Sequence, residues 1–497
     1  MSDFLVTGAN VAAPFTLKLH RGDGMTLIAM NWKKPTPPRD FVGFAIEYQE
    51  PGGDRFFALA NRLTFPGVAP TKVNRSSLRS PIQKFRWVHF PRNAESPGAF
   101  TYRVTPVFMN DLGELSFGES QTAQIELRRE TYPGKVNVAF TRGFVSSQAF
   151  VENYESAGAV STLLPAKADD GLSFQPTHPK TDEALEWMGF EARSAILEVL
   201  DEAFADKQAK VFVAAYDLNE PAIVSRLVRL KNRLRIVIDD SGTHGPAESA
   251  ESEAERRLRT SAGDANVKRQ HVGGLQHNKF IVVDGPKAKI AACGSTNFSW
   301  RGLYVQGNNA LVVRGAKAIQ PFLDAFDAYW SDDTPSVFGH TSTAEWMDLG
   351  FETIDAKVSF SPHASSNALL AEIAEDIKTK TKSSLLYSLA FLYQTPGAMQ
   401  DAIKAVMEDD AKLVYGISDK KVGGLDVQTP DGNVTPVFAA ALGKDAPEPF
   451  RSEPTGGGGT RMHHKFVVID FDKPTARVYL GSYNFSVAAD TKNGENL

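Results

Sequence analysis

Residues 462–470 read Met-His-His-Lys-Phe-Val-Val-Ile-Asp, and residues 481–486 follow as Gly-Ser-Tyr-Asn-Phe-Ser. An earlier stretch nearly repeats them: residues 276–284 read Gln-His-Asn-Lys-Phe-Ile-Val-Val-Asp, and residues 294–299 read Gly-Ser-Thr-Asn-Phe-Ser. Both copies share the spacing His-x-Lys-x4-Asp followed by Gly-Ser-x-Asn-Phe-Ser. The repetition of so specific a pattern indicates two copies of one structural unit.

Each copy predicts a buried strand, because β-branched and aromatic residues lie between the lysine and the aspartate and turn residues bound them. Side chains alternate between the two faces of a strand. His277 and Lys279 therefore share one face, and so do His463 and Lys465. Each strand is expected to present an imidazole beside an ammonium group, so these four residues are candidate catalytic residues.

Asp284 and Asp470 complete the two motifs, and we include them among the candidate catalytic residues. Each lies an odd number of positions from the lysine, at the end of the strand. This position predicts an orienting group in the turn or on the opposite face rather than a group that attacks the substrate.

A second pair of landmarks supports an internal duplication. Residues 173–176 read Ser-Phe-Gln-Pro and residues 359–362 read Ser-Phe-Ser-Pro, a separation of 186 positions that equals the separation of His277 and His463. Strands and helices alternate after each landmark, which predicts a parallel sheet covered by helices.

We therefore predict two similar α/β lobes, at residues 171–340 and 341–497. The second lobe has no evident counterpart of residues 309–330, so we expect its C-terminal edge to be missing.

The first part of the chain has a different character. Alternating stretches at residues 44–48 and 102–107 are separated by clusters of Pro, Gly and Asn, which predicts an all-β sandwich over residues 1–130. Together with Trp32, these strands resemble a fibronectin type III or similar immunoglobulin-like module. The resemblance implies a binding or spacing role, and hence a protein partner. Residues 131–170 are predicted to form a linker.

Composition sets broad limits on the function. The chain has 497 residues, 42% of them hydrophobic and 23% charged, which is typical of a globular protein. It shows neither a transmembrane segment nor a secretory signal, so we expect a cytoplasmic protein. Cys293 is the only cysteine, which excludes an intramolecular disulfide. The net charge of -5 provides no global attraction for polyanions, so a phosphate site must be local.

The two motifs suit the cleavage of a phosphodiester. Such a site needs cations for the anionic oxygens, a nucleophile, and an acid for the leaving group. Two imidazoles on opposite sides of one phosphate could attack and protonate in line, while Lys279 and Lys465 hold the oxygens. Asn297 and Asn484 are candidate amide donors, and the candidate hydroxyl donors are Ser295 and Ser482.

This chemistry requires no cofactor and no metal ion. Histidines are also common metal ligands. Two ammonium groups beside the ion, with few carboxylates, weigh against that alternative. Both motifs belong to one chain, so a monomer could form the whole site.

The paired motifs resemble the phospholipase D superfamily over roughly residues 170–497. The resemblance implies a two-lobe α/β fold and a phosphohistidine intermediate. It makes His277 the nucleophile and His463 the general acid, although the reverse assignment stays open.

The superfamily pattern continues with Asn-x-Glu, whose acid orients a histidine. Asn493-Gly494-Glu495 matches it, so Glu495 joins the candidate site. The first copy departs from the pattern, because Gln306 and Asn308 occupy the equivalent positions. The two histidines are therefore expected to have unequal surroundings.

The Asn-Phe-Ser tails are similar to those of bacterial nucleases in the superfamily, so a nuclease acting on DNA or RNA is the first hypothesis. Phospholipase D activity on lipid head groups is the alternative, and a non-catalytic phosphate-binding scaffold is the second alternative. A basic cluster at residues 226–235 could favour nucleic acid, or could be a solvated helix face. His178 and His363 follow the repeated Ser-Phe-x-Pro segments and are weaker candidates for the site.

Overall fold

The structure is a computed structural model. It describes residues 4–420, except 23, 92, 95, 128–129 and 144–146, and then residues 422, 425, 427–428, 434–435 and 462–497. Two compact units result, Met1–Asn137 and Val138–Leu497. The finer division into residues 1–130, 131–170, 171–340 and 341–497 stays a prediction.

The first unit consists of strands alone among its described regular elements. In chain order they are β1 (Leu5–Thr7), β2 (Phe15–Gly22), β3 (Met25–Trp32), β4 (Phe41–Gln49), β5 (Phe57–Ala58), β6 (Arg86–His89), β7 (Ala99–Met109), β8 (Leu115–Phe117) and β9 (Gln121–Glu126).

These strands form two sheets. One has the order β1-β2-β3-β6, and the other has the order β5-β4-β7-β8 with β9 paired to β7. Fully buried aromatic residues from both sheets fill the space between them, and the rings of Phe15 and Phe44 lie 5.0 Å apart. The predicted all-β sandwich is confirmed, while its resemblance to a fibronectin type III module stays a prediction.

The second unit begins with the first α/β lobe. Its strands and α-helices are β10 (Val136–Phe140), α1 (Ser147–Tyr154), α2 (Thr181–Ala205), β11 (Lys210–Ala215), α3 (Pro221–Leu230), β12 (Leu234–Ile238), α4 (Ala250–Ala262), β13 (Val267–Arg269), β14 (Lys279–Asp284), β15 (Lys289–Gly294), β16 (Asn309–Arg314) and α5 (Ala316–Ser331). The strands form one sheet of order β10-β16-β15-β14-β11-β12-β13.

The direction of these strands corrects part of the prediction. β11, β12 and β13 are parallel, but β14 runs antiparallel to β11, and β15 and β16 continue the antiparallel pairing. A tight turn, in which Gly285 N donates to Ala288 O at 2.8 Å, returns the chain without a helix. The prediction of a wholly parallel sheet was wrong, because the alternation of strand and helix stops at β13.

The second lobe repeats this plan. Its elements are α6 (Pro335–Phe338), β17 (Met347–Asp348), β18 (Lys357–Val358), β19 (Phe360–Ser361), α7 (Leu369–Lys380), β20 (Ser384–Leu389), α8 (Ala398–Met407), β21 (Leu413–Ser418), β22 (Val427–Gln428), β23 (Val434–Thr435), β24 (Lys465–Ile469), β25 (Arg477–Leu480), α9 (Val487–Thr491) and β26 (Glu495–Asn496). Among them, β21-β20-β24-β25 form a sheet with the same strand directions as β12-β11-β14-β15.

The register confirms the duplication. Lys279 lies opposite Ala215 in the first lobe, and Lys465 lies opposite Leu389 in the second. Asn309 O accepts hydrogen bonds from Ser295 N and Thr296 N, just as Asn496 O accepts from Ser482 N and Tyr483 N. β26 is thus the counterpart of the start of β16, which agrees with the equivalent positions of Asn308 and Glu495 in the two sequence copies.

Apolar packing holds β14 and β24 in the middle of their sheets. Phe280 on β14 packs against Phe322 of α5 with ring centroids 6.0 Å apart, and the opposite face packs against α2 and α3. In the second lobe, Val467 and Ile469 of β24 face α7 and α8. Among the described residues, no helix combines the length and the apolar character needed to cross a bilayer.

Candidate active site

The two motif histidines meet where the lobes join, just before β14 and β24. Backbone hydrogen bonds connect the lobes there, from Gly494 N to Leu275 O at 2.8 Å and from His463 N to Gly307 O at 2.9 Å. The ring centroids of His277 and His463 are 6.4 Å apart, and their planes are inclined by 74°. Both side chains are buried. The structure therefore brings the predicted pair of imidazoles together.

Each histidine takes its orienting group from the other lobe. His277 Nδ1 lies 2.9 Å from Oε2 of Glu495, which is fully buried. His463 Nδ1 lies 2.9 Å from Oδ1 of Asn308. Since the carboxylate and the amide oxygen are acceptors, their positions favour the tautomer of each ring with its proton on Nδ1, which leaves Nε2 for chemistry. Asn308 is thus the first-copy counterpart of Glu495, but it brings no charge.

Both lysines are also buried beside the histidines. Lys279 Nζ donates to the carbonyl of its own motif histidine, and it lies 4.8 Å from the ring centroid of Tyr216. Lys465 Nζ is 2.9 Å from His463 O and 3.0 Å from His463 Nε2. Burial lowers the pKa of Lys279 to about 7 and holds that of Lys465 well below its usual value, although nearby carboxylates oppose the change.

The same burial keeps both histidines neutral near pH 7. It lowers the pKa of His277 to about 4, even though Glu495 acts in the opposite direction. The pKa of His463 falls well below its usual value because of burial and the charges of Lys465 and Lys279. His463 has no carboxylate partner, so His277 is the more basic ring of the two.

The asparagines and serines of the motifs play different parts in the structure. Asn297 Nδ2 donates to Asp217 Oδ2 at 2.7 Å, on the side of the site where Asp217 keeps 21% of its side chain exposed. Ser295 Oγ donates to Asn308 Oδ1 at 2.9 Å, and Ser482 Oγ accepts from Asn496 N at 3.0 Å. Both serines are fully buried and hold the backbone that carries the orienting groups.

Asn484 occupies the position in the second lobe that Asn297 occupies in the first. It is half-buried, and its Oδ1 has no hydrogen-bond partner among the described residues. The Oδ1 of Asn297 likewise has no hydrogen-bond partner among the described residues. The unpartnered atom of each asparagine is a buried acceptor, so a contact with a phosphate oxygen would have to come from Nδ2 instead.

A group that sequence reasoning missed lies beside His277. His244 Nε2 is 3.1 Å from Asp217 Oδ1, and its Nδ1 is 2.8 Å from Asp239 Oδ2. The ring of Tyr216 lies between the two histidines, with its centroid 4.6 Å from that of His244 and 4.8 Å from that of His277. Despite burial, the two carboxylates raise the pKa of His244 to about 10. The only available signal was that Asp217 and Asp239 follow neighbouring parallel strands.

The second lobe keeps half of this arrangement. Asp419 Oδ1 accepts from Met462 N at 3.1 Å, as Asp239 Oδ1 accepts from Gln276 N at 2.7 Å. The register places Phe391 at the position of Asp217. The carboxylates of Asp217 and Asp239 are therefore on the side of His277, and the two halves of the site differ in charge.

Asp284 and Asp470 lie at the far ends of β14 and β24, away from the imidazoles. Asp470 is fully buried and accepts from the backbone amides of Lys382, Ser383 and Ser384 at 2.7–3.1 Å. Asp284 is 37% exposed and pairs with Lys289. These contacts indicate a structural role at the strand ends, so we do not carry the catalytic assignment of these two residues into the mechanism.

We expect Asp470→Ala to lower the free energy of unfolding by about 2–4 kcal/mol, because three backbone amides, of which that of Ser384 is buried, lose a buried acceptor. Asp284→Ala, the matched control in the first lobe, is expected to cost less than about 1 kcal/mol, as exposed ion pairs usually do. Urea denaturation of both variants measures the difference. Equal losses, or an inactive Asp470→Ala protein of unchanged stability, would contradict the structural role.

The other weak candidates have structural contacts. His363 Nδ1 is 2.7 Å from Asp490 Oδ1, its Nε2 is 3.0 Å from Ser359 Oγ, and its side chain is 1% exposed. His178 Nε2 is 3.2 Å from Tyr154 O. The structure does not bring either ring to the motif histidines.

The basic cluster around α3 serves the fold. Arg226 pairs with Asp201 at 2.8 Å, and Arg235 stacks 4.2 Å from the ring centroid of Trp330. Arg233 Nη1 donates to three backbone carbonyls at 2.9–3.1 Å. This cluster therefore supplies little free charge for a polyanion.

Comparison with known proteins gives one family match. Residues 198–330 match the family model described as "Cardiolipin synthase, PLD-like domain". No curated protein sequence matches the chain.

Several solved structures are similar in part. Phosphatidylserine synthase from Haemophilus influenzae Rd KW20 is 16% identical with a TM-score of 0.41, over 62% of this chain and 79% of that one. Nuc from Salmonella typhimurium, a phospholipase D family member, is 26% identical with a TM-score of 0.23, over 28% and 87%. Polyphosphate kinase from Porphyromonas gingivalis is 11% identical with a TM-score of 0.41, over 93% and 72%. These TM-scores are too low to support an inference about the substrate of this protein.

Proposed function

We propose, from the phospholipase D-like domain that this chain carries, that it is a phosphodiesterase that cleaves nucleic acid through a phosphohistidine intermediate. The observation that supports it most is the pair of buried imidazoles with centroids 6.4 Å apart. Reacting atoms approach to about 3–3.5 Å before reaction, so rings this close together can both reach groups bonded to one phosphorus atom.

His277 is the proposed nucleophile. Its Nδ1 lies 2.9 Å from the Glu495 carboxylate, so the tautomer with the proton on Nδ1 leaves the Nε2 lone pair free to attack phosphorus. The new N–P bond places positive charge on the imidazole, and the buried carboxylate stabilises that charge. His463, whose Nδ1 has the neutral Asn308 as its partner, would gain less from the same step.

His463 is the proposed general acid. As the bond from phosphorus to the leaving oxygen breaks, His463 Nε2 gives its proton to that oxygen. Water then attacks the phosphohistidine, His463 takes a proton from it, and the N–P bond breaks to release the phosphate product. Bound phosphate brings negative charge beside His463, which raises its low pKa and loads the ring with a proton.

Lys279 and Lys465 are the proposed partners of the non-bridging oxygens. Their buried ammonium groups lie beside the histidines, where electrostatic attraction to an anion is stronger than in water. Asn297 and Asn484 add amide groups on either side. The two lysines supply the positive charge that stabilises the transition state.

The choice of nucleic acid as substrate rests on the Gly-Ser-x-Asn-Phe-Ser segments, whose tails are similar to those of bacterial nucleases. The direct test is incubation with labelled single-stranded DNA, double-stranded DNA, RNA and phosphatidylcholine in EDTA. Cleavage of a nucleic acid that is lost in His277→Ala and His463→Ala supports the proposal. Release of choline instead would make the protein a phospholipase D, and phosphate binding without turnover would make it a scaffold.

The pH dependence of kcat/KM follows from the buried groups of the free protein. We expect kcat/KM to rise as the pH increases through about 4, because His277 loses its proton there and becomes a nucleophile. At higher pH, kcat/KM is expected to fall, because His463 of the free protein then lacks the proton that the leaving group needs, and the fall steepens above about 7, where Lys279 loses its charge. Initial rates on a small soluble diester measure both limbs, and constant activity from pH 6 to 10 would contradict the role of Lys279.

A further inference from the structure

A run of positive charge lies in the first unit. Between residues 55 and 94 the sequence has eight basic residues and no acidic one, although the whole chain has a net charge of -5. Seven of the eight belong to the part that the structure describes: Arg55, Arg62, Lys72, Arg75, Arg79, Lys84 and Arg86. We call these seven the basic edge.

The charges of the basic edge are available to a ligand. All seven side chains are exposed. Arg55 stacks on the ring of Phe57 at 4.5 Å, and the other six make no side-chain hydrogen bond or ion pair with the residues that the structure describes. Arg103 in the same unit differs, since its guanidinium pairs with Glu47 at 2.9 Å. The basic edge therefore carries uncompensated charge.

These residues lie along one side of the sandwich. β5 and β6 are edge strands of the two sheets, and residues 59–85 connect them. The connection stays on that side, because Ile82 N donates to Phe44 O at 2.8 Å on β4. Tyr48 contacts both edge strands, with ring centroids 5.7 Å from Phe57 and 4.5 Å from His89. The seven charges thus lie on or beside the two edge strands and the connection between them.

Aromatic side chains lie among these charges. Phe57, Phe85 and Phe90 are 36%, 42% and 45% exposed. Bases stack on such rings in proteins that bind single strands, and stacking needs no particular base. Five of the seven basic residues are arginines, whose planar groups bind phosphate and also stack on bases.

We propose that the basic edge binds single-stranded nucleic acid. The combination of uncompensated positive charge and exposed rings fits a polyanion with unstacked bases. The choice of nucleic acid rests in part on the proposed nuclease function, since a binding surface on the same chain raises the concentration of substrate near the active site. A row of charges on an edge strand can also protect a sheet from aggregation. The test must therefore distinguish protection of the edge from binding of nucleic acid.

Binding is measured by fluorescence anisotropy with a labelled oligothymidylate, using the full chain with His277→Ala so that the probe stays intact. The test variant adds Arg75→Glu, Arg79→Glu and Arg86→Glu. The matched control adds Lys210→Glu, Lys357→Glu and Lys378→Glu, three exposed lysines of the second unit, and so changes the net charge equally.

The test variant is expected to bind at least about tenfold more weakly, and the slope of log affinity against log salt should fall by about 2, since each lost phosphate contact accounts for roughly 0.7. The control should bind as the parent does. Phe57→Leu, which removes one exposed ring, should weaken binding by about fivefold or more.

Unchanged binding in the test variant would overturn the inference, and so would an equal loss in the control. It would also be overturned if the test variant lost binding to vesicles with phosphatidylserine but kept its binding to the oligonucleotide. Aggregation of the test variant without loss of affinity would assign the charges to edge protection and would also overturn it. The proposed nuclease activity is tested separately, because the three substitutions in an otherwise unaltered chain should leave turnover of a small soluble diester unchanged.

Discussion

Alanine in place of His277 is expected to reduce cleavage of a nucleic-acid phosphodiester on the order of 10⁴–10⁶-fold, the range seen when a catalytic nucleophile is removed. No other group beside the site presents a free imidazole nitrogen oriented by a carboxylate among the described residues. Alanine in place of His463 is expected to cost roughly 10²–10⁴-fold on the same substrate, because it removes the acid. Initial rates under saturating substrate measure both losses.

An activated substrate separates the two roles. In a p-nitrophenyl phosphodiester the leaving group departs without a proton, so His463→Ala should still release one nitrophenol per enzyme and then stall at the phosphohistidine. His277→Ala should give no burst. Mass spectrometry at neutral pH should find the added phosphoryl group on residue 277. A burst from His277→Ala, or phosphate on His463, would reverse the assignment.

His271→Ala is the matched control for these variants. His271 is 53% exposed and pairs with Asp240 at 2.8 Å, outside the proposed machinery. Its removal should leave the rates on both substrates within about twofold. A large loss in this control would show that the histidine variants act through the fold rather than through the reaction.

The second large effect concerns Glu495, which orients His277 from the opposite lobe. Glu495→Gln keeps the shape of the side chain but removes the charge that stabilises the phosphorylated ring. We expect kcat/KM to fall by about 10²–10⁴-fold, as for the loss of the orienting carboxylate in a catalytic triad. Because Glu495 raises the pKa of His277, the acid limb should also move to lower pH.

The counterpart Asn308 provides the control for Glu495. Asn308→Ala removes the partner of His463, so it should slow the natural substrate more than the nitrophenyl ester. Glu495→Gln should slow both, because formation of the phosphohistidine precedes every later step. Equal rate losses for the two variants on both substrates would contradict the assignment of His277 as nucleophile and His463 as general acid. Full activity of Glu495→Gln would contradict it as well.

The sequence contained enough to predict the duplicated lobes and the residues that meet between them. Equal spacing of two landmarks required two similar folds, and alternation along a strand placed each histidine beside its lysine. The strand directions were not predicted correctly from the sequence, since a hairpin after β14 interrupts the alternation of strand and helix. Backbone pairing was needed to show that Glu495 and Asn496 form a strand, β26.

The surroundings of the histidines were harder to predict for a physical reason. Asp217, Asp239 and His244 meet because two parallel strands end side by side and a loop returns to them. Such a cluster leaves no fixed spacing in the sequence. Asn308 was identified at the position equivalent to Glu495, but its role was not predicted, because an amide replaces the expected carboxylate and only its 2.9 Å contact with His463 reveals that role.

The exchange of partners between the lobes has a consequence for how such a site can change over generations. Two identical subunits would have to give both rings the same neighbour, since any substitution would appear twice. Once both halves share a single gene, one ring can keep an acidic neighbour while the other gives it up. Fusion thereby allows the neighbours of each ring to be adjusted to its proposed role, whereas in a symmetric pair both rings would keep the same neighbours.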